Sequence, residues 1–237
     1  MAFNYSPKIV TDGLVLYLDA ANPRSYASSS TSWLDLSRGE NNGGLVNGPT
    51  FNSANGGSIV FDGVDDYVLT SVVSLNSFGF TMNMWFKFQT SSGIRFLLDF
   101  QGATPNNRVA IYMDTSNKLI LDDRDGPIVP GGDISAIQSN STISPNVWIN
   151  LTATINRNLG AGNEDNFFIN GTPIASSYLY SDNLNTAYVS NPFYIGNVSG
   201  SGFPYKGDIA STQIYNRALS AQEILQNYNA LKGRYGL

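Results

Sequence analysis

Phe80-Thr81-Met82-Asn83-Met84-Trp85-Phe86-Lys87-Phe88 is the stretch on which the fold turns. Large apolar side chains stand at 80, 82, 84, 86 and 88, and Thr81, Asn83, Trp85 and Lys87 take the places between them. A strand sends successive side chains to opposite faces. Alternation sustained from Phe80 to Phe88 therefore predicts a β-strand whose Phe/Met face lies in a core. A helix would need apolar residues three and four apart instead.

Similar short runs follow at Arg95 to Phe100, Arg108 to Met113 and Lys118 to Asp122. The Gly/Pro-rich segment Gly126 to Asn146 interrupts the pattern and reads as a loop. Strands resume at Trp148 to Asn156. Asn166 to Asn170 then turns through Asn170-Gly171 into Thr172 to Ala175. Asn-Gly suits a tight hairpin because both turn positions take positive φ. Phe193 to Ile195 and Asp208 to Asn216 complete the series.

Upstream, Leu14 to Leu18 is a short apolar run fitting a buried strand, and a polar stretch from Arg24 to Thr50 carries Trp33, Leu34 and Leu36 as anchors. Ser58 to Phe61, a turn at Asp62-Gly63, and Tyr67 to Leu69 read as a hairpin. One helix is marked. Ser220-Ala221-Gln222-Glu223 forms a capping box, Leu219 and Ile224 a hydrophobic staple, and Ile224, Leu225, Tyr228 and Leu231 an apolar face. Many short strands and one helix predict an all-β, two-sheet antiparallel sandwich in a single domain over 1–237, with an N-terminal arm at 1–12 and a packed helix at 220–232.

Composition narrows the chemistry. Of 237 residues, 42% are hydrophobic, enough for a core, and only 13% are charged. Polarity comes from Asn, Ser, Thr and Gly, which favour turns. The net charge of −5 and the scattered basic residues argue against nucleic-acid and anionic-membrane partners. With no cysteine, disulfides cannot staple the fold, and with no histidine, Ser-His-Asp chemistry and histidine-ligated zinc are excluded. Met1 to Asp12 lacks a basic region followed by an apolar run, so the expectation is synthesis in a cytoplasm without a signal peptide.

A series of blocks is more specific. Gly13 to Ala20, Trp33 to Ser37, Asn47 to Phe51, Phe61-Asp62-Gly63-Val64-Asp65-Asp66-Tyr67-Val68, Phe80 to Phe86, Phe168 to Gly171, Lys206 to Ala210 and Ile214 to Ser220 occur in that order. Together they resemble the laminin-G-like domains of the concanavalin A-like jelly-roll superfamily. They look like the stand-alone form found among virion proteins of tailed, especially marine, bacteriophages. That resemblance implies a non-catalytic virion structural protein, located in the particle. It would decorate capsid, neck or tail through contacts with other virion proteins, as a homo-oligomer, with weak attachment to cell-surface glycan. The alternative is a lectin-like receptor binder, which predicts a shallow groove lined by Trp85 or a tyrosine. The remote alternative is a polysaccharide hydrolase.

Hydrolases of this superfamily carry E-x-D-x-x-E on one strand, with carboxyl groups about 5 Å apart for a retaining mechanism. Here the three glutamates, Glu40, Glu164 and Glu223, lie in a loop, a turn and the capping box, and no strand presents two aspartates on one face. No enzyme is expected. Trp85 with Asn83 is the candidate sugar platform, because both lie opposite the Phe/Met face; the plainer alternative buries Trp85 under a loop or subunit. Relatives join their first and last strands through a structural calcium, and Asp19 with Asp208 is the pair that would hold one here. On local grounds Asp19 starts a turn and Asp208 follows a turn glycine, and this reading is preferred. Asp62, Asp65 and Asp66 read as turn residues.

Overall fold

Alternating burial folds the chain into two antiparallel sheets that share one core. The structure is a computed structural model that describes residues 7–75, 78–101, 108–125, 133–184, 187–188, 190–198 and 202–237. In chain order the strands are β1 (Leu14–Asp19), β2 (Ser32–Trp33), β3 (Gly43–Val46), β4 (Thr50–Asn52), β5 (Ser58–Asp62), β6 (Tyr67–Thr70), β7 (Gly79–Phe88), β8 (Arg95–Gln101) and β9 (Arg108–Met113). There follow β10 (Leu119–Arg124), β11 (Ile134–Ser139), β12 (Ile149–Asn156), β13 (Asp165–Ile169), β14 (Thr172–Pro173), β15 (Ser176–Ser181), β16 (Phe193–Ile195) and β17 (Lys206–Tyr215). The helix α1 (Ala221–Leu231) continues into a 3-10 turn at Lys232–Tyr235.

The first sheet runs β14-β13-β12-β7-β17-β5-β4, and β1 shares the outer edge of β17 with β5. The second runs β15-β11-β10-β9-β8-β16-β6-β3-β2. Phe80, Met82, Met84, Phe86 and Phe88 of β7 meet Leu98, Phe100, Ile111, Leu121 and Ile137 of the second sheet in one cluster. Burying such side chains contributes about 1.5–3 kcal/mol each. No helix among the described residues is long and apolar enough to cross a membrane.

Two local expectations are corrected. Ser58–Asp62 and Tyr67–Thr70 do not pair as a hairpin; β5 joins the first sheet and β6 the second. The turn between them carries the chain across the sandwich, with Val64 N donating to Asp62 Oδ1 at 2.8 Å and Asp62 N to Asp66 Oδ2 at 2.9 Å. Phe61 and Val68 can then both enter the core from opposite sheets. The loop expected over Gly126 to Asn146 contains β11, while 126–132 lie outside the described residues. Its inward positions are Ser135, Ile137 and Ser139, all buried. Serines there erase the apolar alternation that would have marked the strand.

The Asn170-Gly171 hairpin forms, with φ of 51° and 74° at its two turn residues. The capping box also forms: Ser220 N donates to Glu223 Oε2 at 2.9 Å and Glu223 N to Ser220 Oγ at 3.4 Å. Leu219 and Ile224 pack together with Phe168 and Tyr215. The buried face of α1 differs from the expected stripe, however. Leu225 is 44% exposed, and Asn227 is buried in its stead. Its Oδ1 accepts from Val10 N and its Nδ2 donates to Tyr215 Oη. An amide fits there because leucine would leave the buried Val10 N–H without its acceptor.

Candidate functional site

Charged and aromatic side chains converge on the outer face of the second sheet. In cross-strand register, Asp99 of β8, Ala110 of β9 and Asp122 of β10 lie side by side. Tyr194 of β16 flanks Asp99 in the same row. In the next row Arg108 and Arg124 are direct partners across β9 and β10. Two acids and two arginines thus form a checkerboard around a small alanine. Alternation puts them outside because Val109, Ile111 and Leu121, at the intervening positions, fill the core.

Each acid has its own arginine. Arg108 Nε lies 2.7 Å from Asp99 Oδ1. Arg124 grips Asp122 with Nε at 2.6 Å from Oδ1 and Nη2 on Oδ2, a bidentate fork. Asp99 is fully buried, and burial pushes its carboxyl up; Arg108 opposes this and the Asp122 charge adds to it. Two buried atoms remain without a hydrogen-bond partner among the described residues: Asp99 Oδ2, an acceptor, and Arg124 Nη1, a donor. Leaving such an atom unpaired costs about 1–3 kcal/mol.

Aromatic rings border the cluster. Tyr112 stacks on Phe96 at 4.9 Å, and its hydroxyl is pushed up to about 12 by burial and by Asp122. Tyr112 and Tyr180 both stand within electrostatic reach of Arg124, and Tyr180 is 59% exposed. The arrangement holds one spare acceptor and one spare donor just beneath the surface, beside flat apolar rings.

Trp85 and Asn83 are not at a surface. Trp85 is fully buried beneath the C-terminal segment, stacked on Tyr235 at 4.1 Å and Tyr228 at 5.8 Å. Asn83 Nδ2 donates to Thr152 Oγ1 at 2.6 Å beneath the same cover. Period two correctly sets them opposite the core, but it cannot reveal that α1 covers that face. This corrects the expected sugar platform.

Asp19 and Asp208 do not fit a calcium site. Both Asp19 oxygens accept from Arg234 Nη1 at 3.0 Å, and Tyr17 Oη donates to Oδ2. Asp208 accepts from Ser58 Oγ at 2.9 Å and faces Lys87 Nζ at 3.4 Å. Calcium needs six to eight oxygens. Here each carboxylate instead answers a cationic side chain, and those cations would repel a metal. The carboxylates of Asp62, Asp65 and Asp66 do gather within 4.8 Å of one another, as parts of the crossing turn.

The residues missed by sequence are Asp99, Arg108, Asp122 and Arg124. A signal existed, in charges two apart on strand-like runs, as in Asp122-Asp123-Arg124. Only strand pairing brings those runs together.

Residues 62–225 match a laminin G family model described as the concanavalin A-like lectin/glucanases superfamily. No curated protein matches the chain by sequence. Among solved structures, the binding domain of Paraclostridial Mosquitocidal Protein 1 is similar with a TM-score of 0.65 at 20% identity, over 92% of this chain and 52% of that one. The receptor binding domain of botulinum neurotoxin C/D mosaic serotype gives 0.69 at 14% identity, over 92% and 51%. Trypanosoma rangeli sialidase in complex with sialic acid gives 0.63 at 16% identity, over 94% and 33%. The chain spans about half the length of the first two and a third of the sialidase. At these identities the likeness is one of fold.

Proposed function

The chain belongs to the concanavalin A-like lectin/glucanases superfamily, and on that premise we propose that it is a non-catalytic binding module that takes a cell-surface glycan on the outer face of its second sheet. The observation that carries this reading is the buried, unpartnered pair of Asp99 Oδ2 and Arg124 Nη1 on one face. Both atoms lie beneath the surface, so binding requires the groups over them to move aside; sugar hydroxyls would then donate to Asp99 Oδ2 and accept from Arg124 Nη1, while exposed Tyr180 supplies a ring for a sugar's C–H face. The solved neighbours named for receptor or sugar binding support the choice of ligand class.

Hydrolysis finds less support. Asp122 has both oxygens on Arg124, which leaves Asp99 as the one carboxylate here with a free oxygen. Glycoside hydrolysis needs two working carboxyl groups. Calorimetric titration against a glycan panel tests the reading. Parent protein should bind at least one neutral glycan, and Asp99→Asn and Arg124→Gln should each weaken binding about tenfold, near 1.4 kcal/mol, with the fold intact by circular dichroism. Unchanged affinity in both variants would sink the assignment to this face.

We place the module on a bacteriophage particle, held by protein contacts. Support comes from the wording of the sequence blocks and from Phe78 and Leu159, 43% and 57% exposed in turns joined by the Arg157 N to Phe78 O hydrogen bond. Immunogold labelling of purified particles decides it. Label on head or neck fits decoration, label on fibre tips fits receptor binding, and none on any particle removes the setting.

A further inference from the structure

A groove lined by other residues opens at the side of the sandwich, where β4 ends the first sheet and β2 the second. It encloses about 400 Å³ between the loop that leads into β2 and the turn from β3 to β4. Tyr26, Leu45 and Phe51 give it an apolar lining, with the Tyr26 and Phe51 rings 5.3 Å apart. None of the described residues that line it is charged.

Its polar side chains are hydroxyls, and the exposed ones are spare. Tyr26 Oη donates to Ser30 O at 2.9 Å, and Ser30 Oγ donates to Ser32 O and accepts from Ser32 N. Ser28, Ser29, Thr31 and Thr50 stand exposed in the lining, and their hydroxyls have no hydrogen-bond partner among the described residues. Ser29 adds an independent sign. Its φ of 72° lies in the left-handed region, where glycine is at ease and a side chain is strained. A serine is kept there nonetheless, and its hydroxyl is one of the spare four.

We propose that this groove binds a neutral oligosaccharide, a sugar's C–H face lying on half-buried Phe51 while Ser28, Ser29, Thr31 and Thr50 exchange hydrogen bonds with its hydroxyls. Each side then presents groups that both donate and accept, so neither leaves the other unpaired. An ionic ligand would find no counter-charge in the lining. A peptide is disfavoured on two counts. The edge strands beside the groove, β4 and β2, are three and two residues long, too short for strand addition. Proline-rich segments dock in aromatic grooves, but the Tyr26 hydroxyl that could meet their carbonyls is spent on Ser30 O.

The probes are cellohexaose, laminarihexaose, mannohexaose and a polyproline peptide, each titrated calorimetrically into the full chain carrying Asp99→Asn and Arg124→Gln. That background weakens the second-sheet site, so the two sites fail separately. At least one of the three sugars should still bind, with an affinity that added salt leaves unchanged. Adding Ser29→Gly, Thr31→Val and Thr50→Val should weaken it about tenfold or more. Glycine suits the backbone at 29 and valine keeps the shape of threonine, so an unchanged urea midpoint shows that hydroxyls and not the fold were lost. The proposal is overturned if none of the sugars binds in this background, if salt abolishes the binding, if polyproline binds as well as the best sugar, or if the three added substitutions change nothing.

Discussion

Replacing Arg157 with Met would leave the Asp123 carboxylate without its counter-charge inside the sandwich. Both side chains are fully buried. Arg157 Nη2 lies 2.6 Å from Asp123 Oδ1 and Nε 3.1 Å from Oδ2, while Tyr188 Oη donates to Oδ2 at 2.6 Å. Burial pushes the Asp123 carboxyl up, and Arg157 is the main group pulling it back. Removing one partner of such a pair costs about 3–5 kcal/mol, much of a domain's total of about 5–15.

The pH dependence has a definite sign. Without Arg157, the folded pKa of Asp123 rises further above its unfolded value of about 3.9, so the native state holds the proton longer. The Arg157→Met protein then keeps its stability below about pH 3.9 and loses it as pH rises through the raised folded pKa, at up to about 1.4 kcal/mol per unit. Urea unfolding followed by circular dichroism from pH 4 to 8 measures this, with a constant m-value as the two-state check. Arg157→Met/Asp123→Asn should recover most of the loss at pH 7. A single variant within about 1 kcal/mol of the parent at pH 7, or a double variant no better than the single, would refute the argument and mean that Asp123 reaches water.

Two further outcomes are expected. Trp85→Ala removes the ring stacked on Tyr228 and Tyr235 and should cost about 3–5 kcal/mol in a denaturant melt, while the folded fraction keeps any glycan affinity. Weakened sugar binding at unchanged stability would instead return Trp85 to a surface role. Asp165 is buried with Oδ1 unpartnered among the described residues, and burial followed by the Asp123 charge holds its carboxyl well above the ordinary range. Its raised folded pKa means stability is full below about pH 3.9 and falls as pH rises. Asp165→Asn should therefore raise the urea midpoint at pH 8 and flatten its pH dependence, and a lower midpoint at pH 8 would contradict this.

The strands with large apolar inner residues were legible, and those with small or polar ones were not. β7 buries an unbroken row of Phe and Met and β12 a row of Ile and Leu with Ala153 its one small member, whereas β11 turns Ser135 and Ser139 inward and β15 is mostly exposed. Asn170-Gly171 was legible because turn chemistry is local. Asp62-Gly63 carries the same kind of signal, yet its two flanking strands enter opposite sheets. A turn residue fixes the bend but not the partner on its far side.

The sequence alone determined the fold class, the central strand, the capped helix and the absence of histidine and cysteine chemistry, since each depends on residues a few positions apart. Tertiary structure decided the rest. It buried Trp85 under α1, gave Asp19 to Arg234 and Asp208 to Lys87, and set Asp99 beside Asp122 across Ala110. Those partners lie from 11 to 215 positions apart in the chain, and strand register together with the docking of the C-terminal helical segment, neither of which local pattern encodes, brings them within reach.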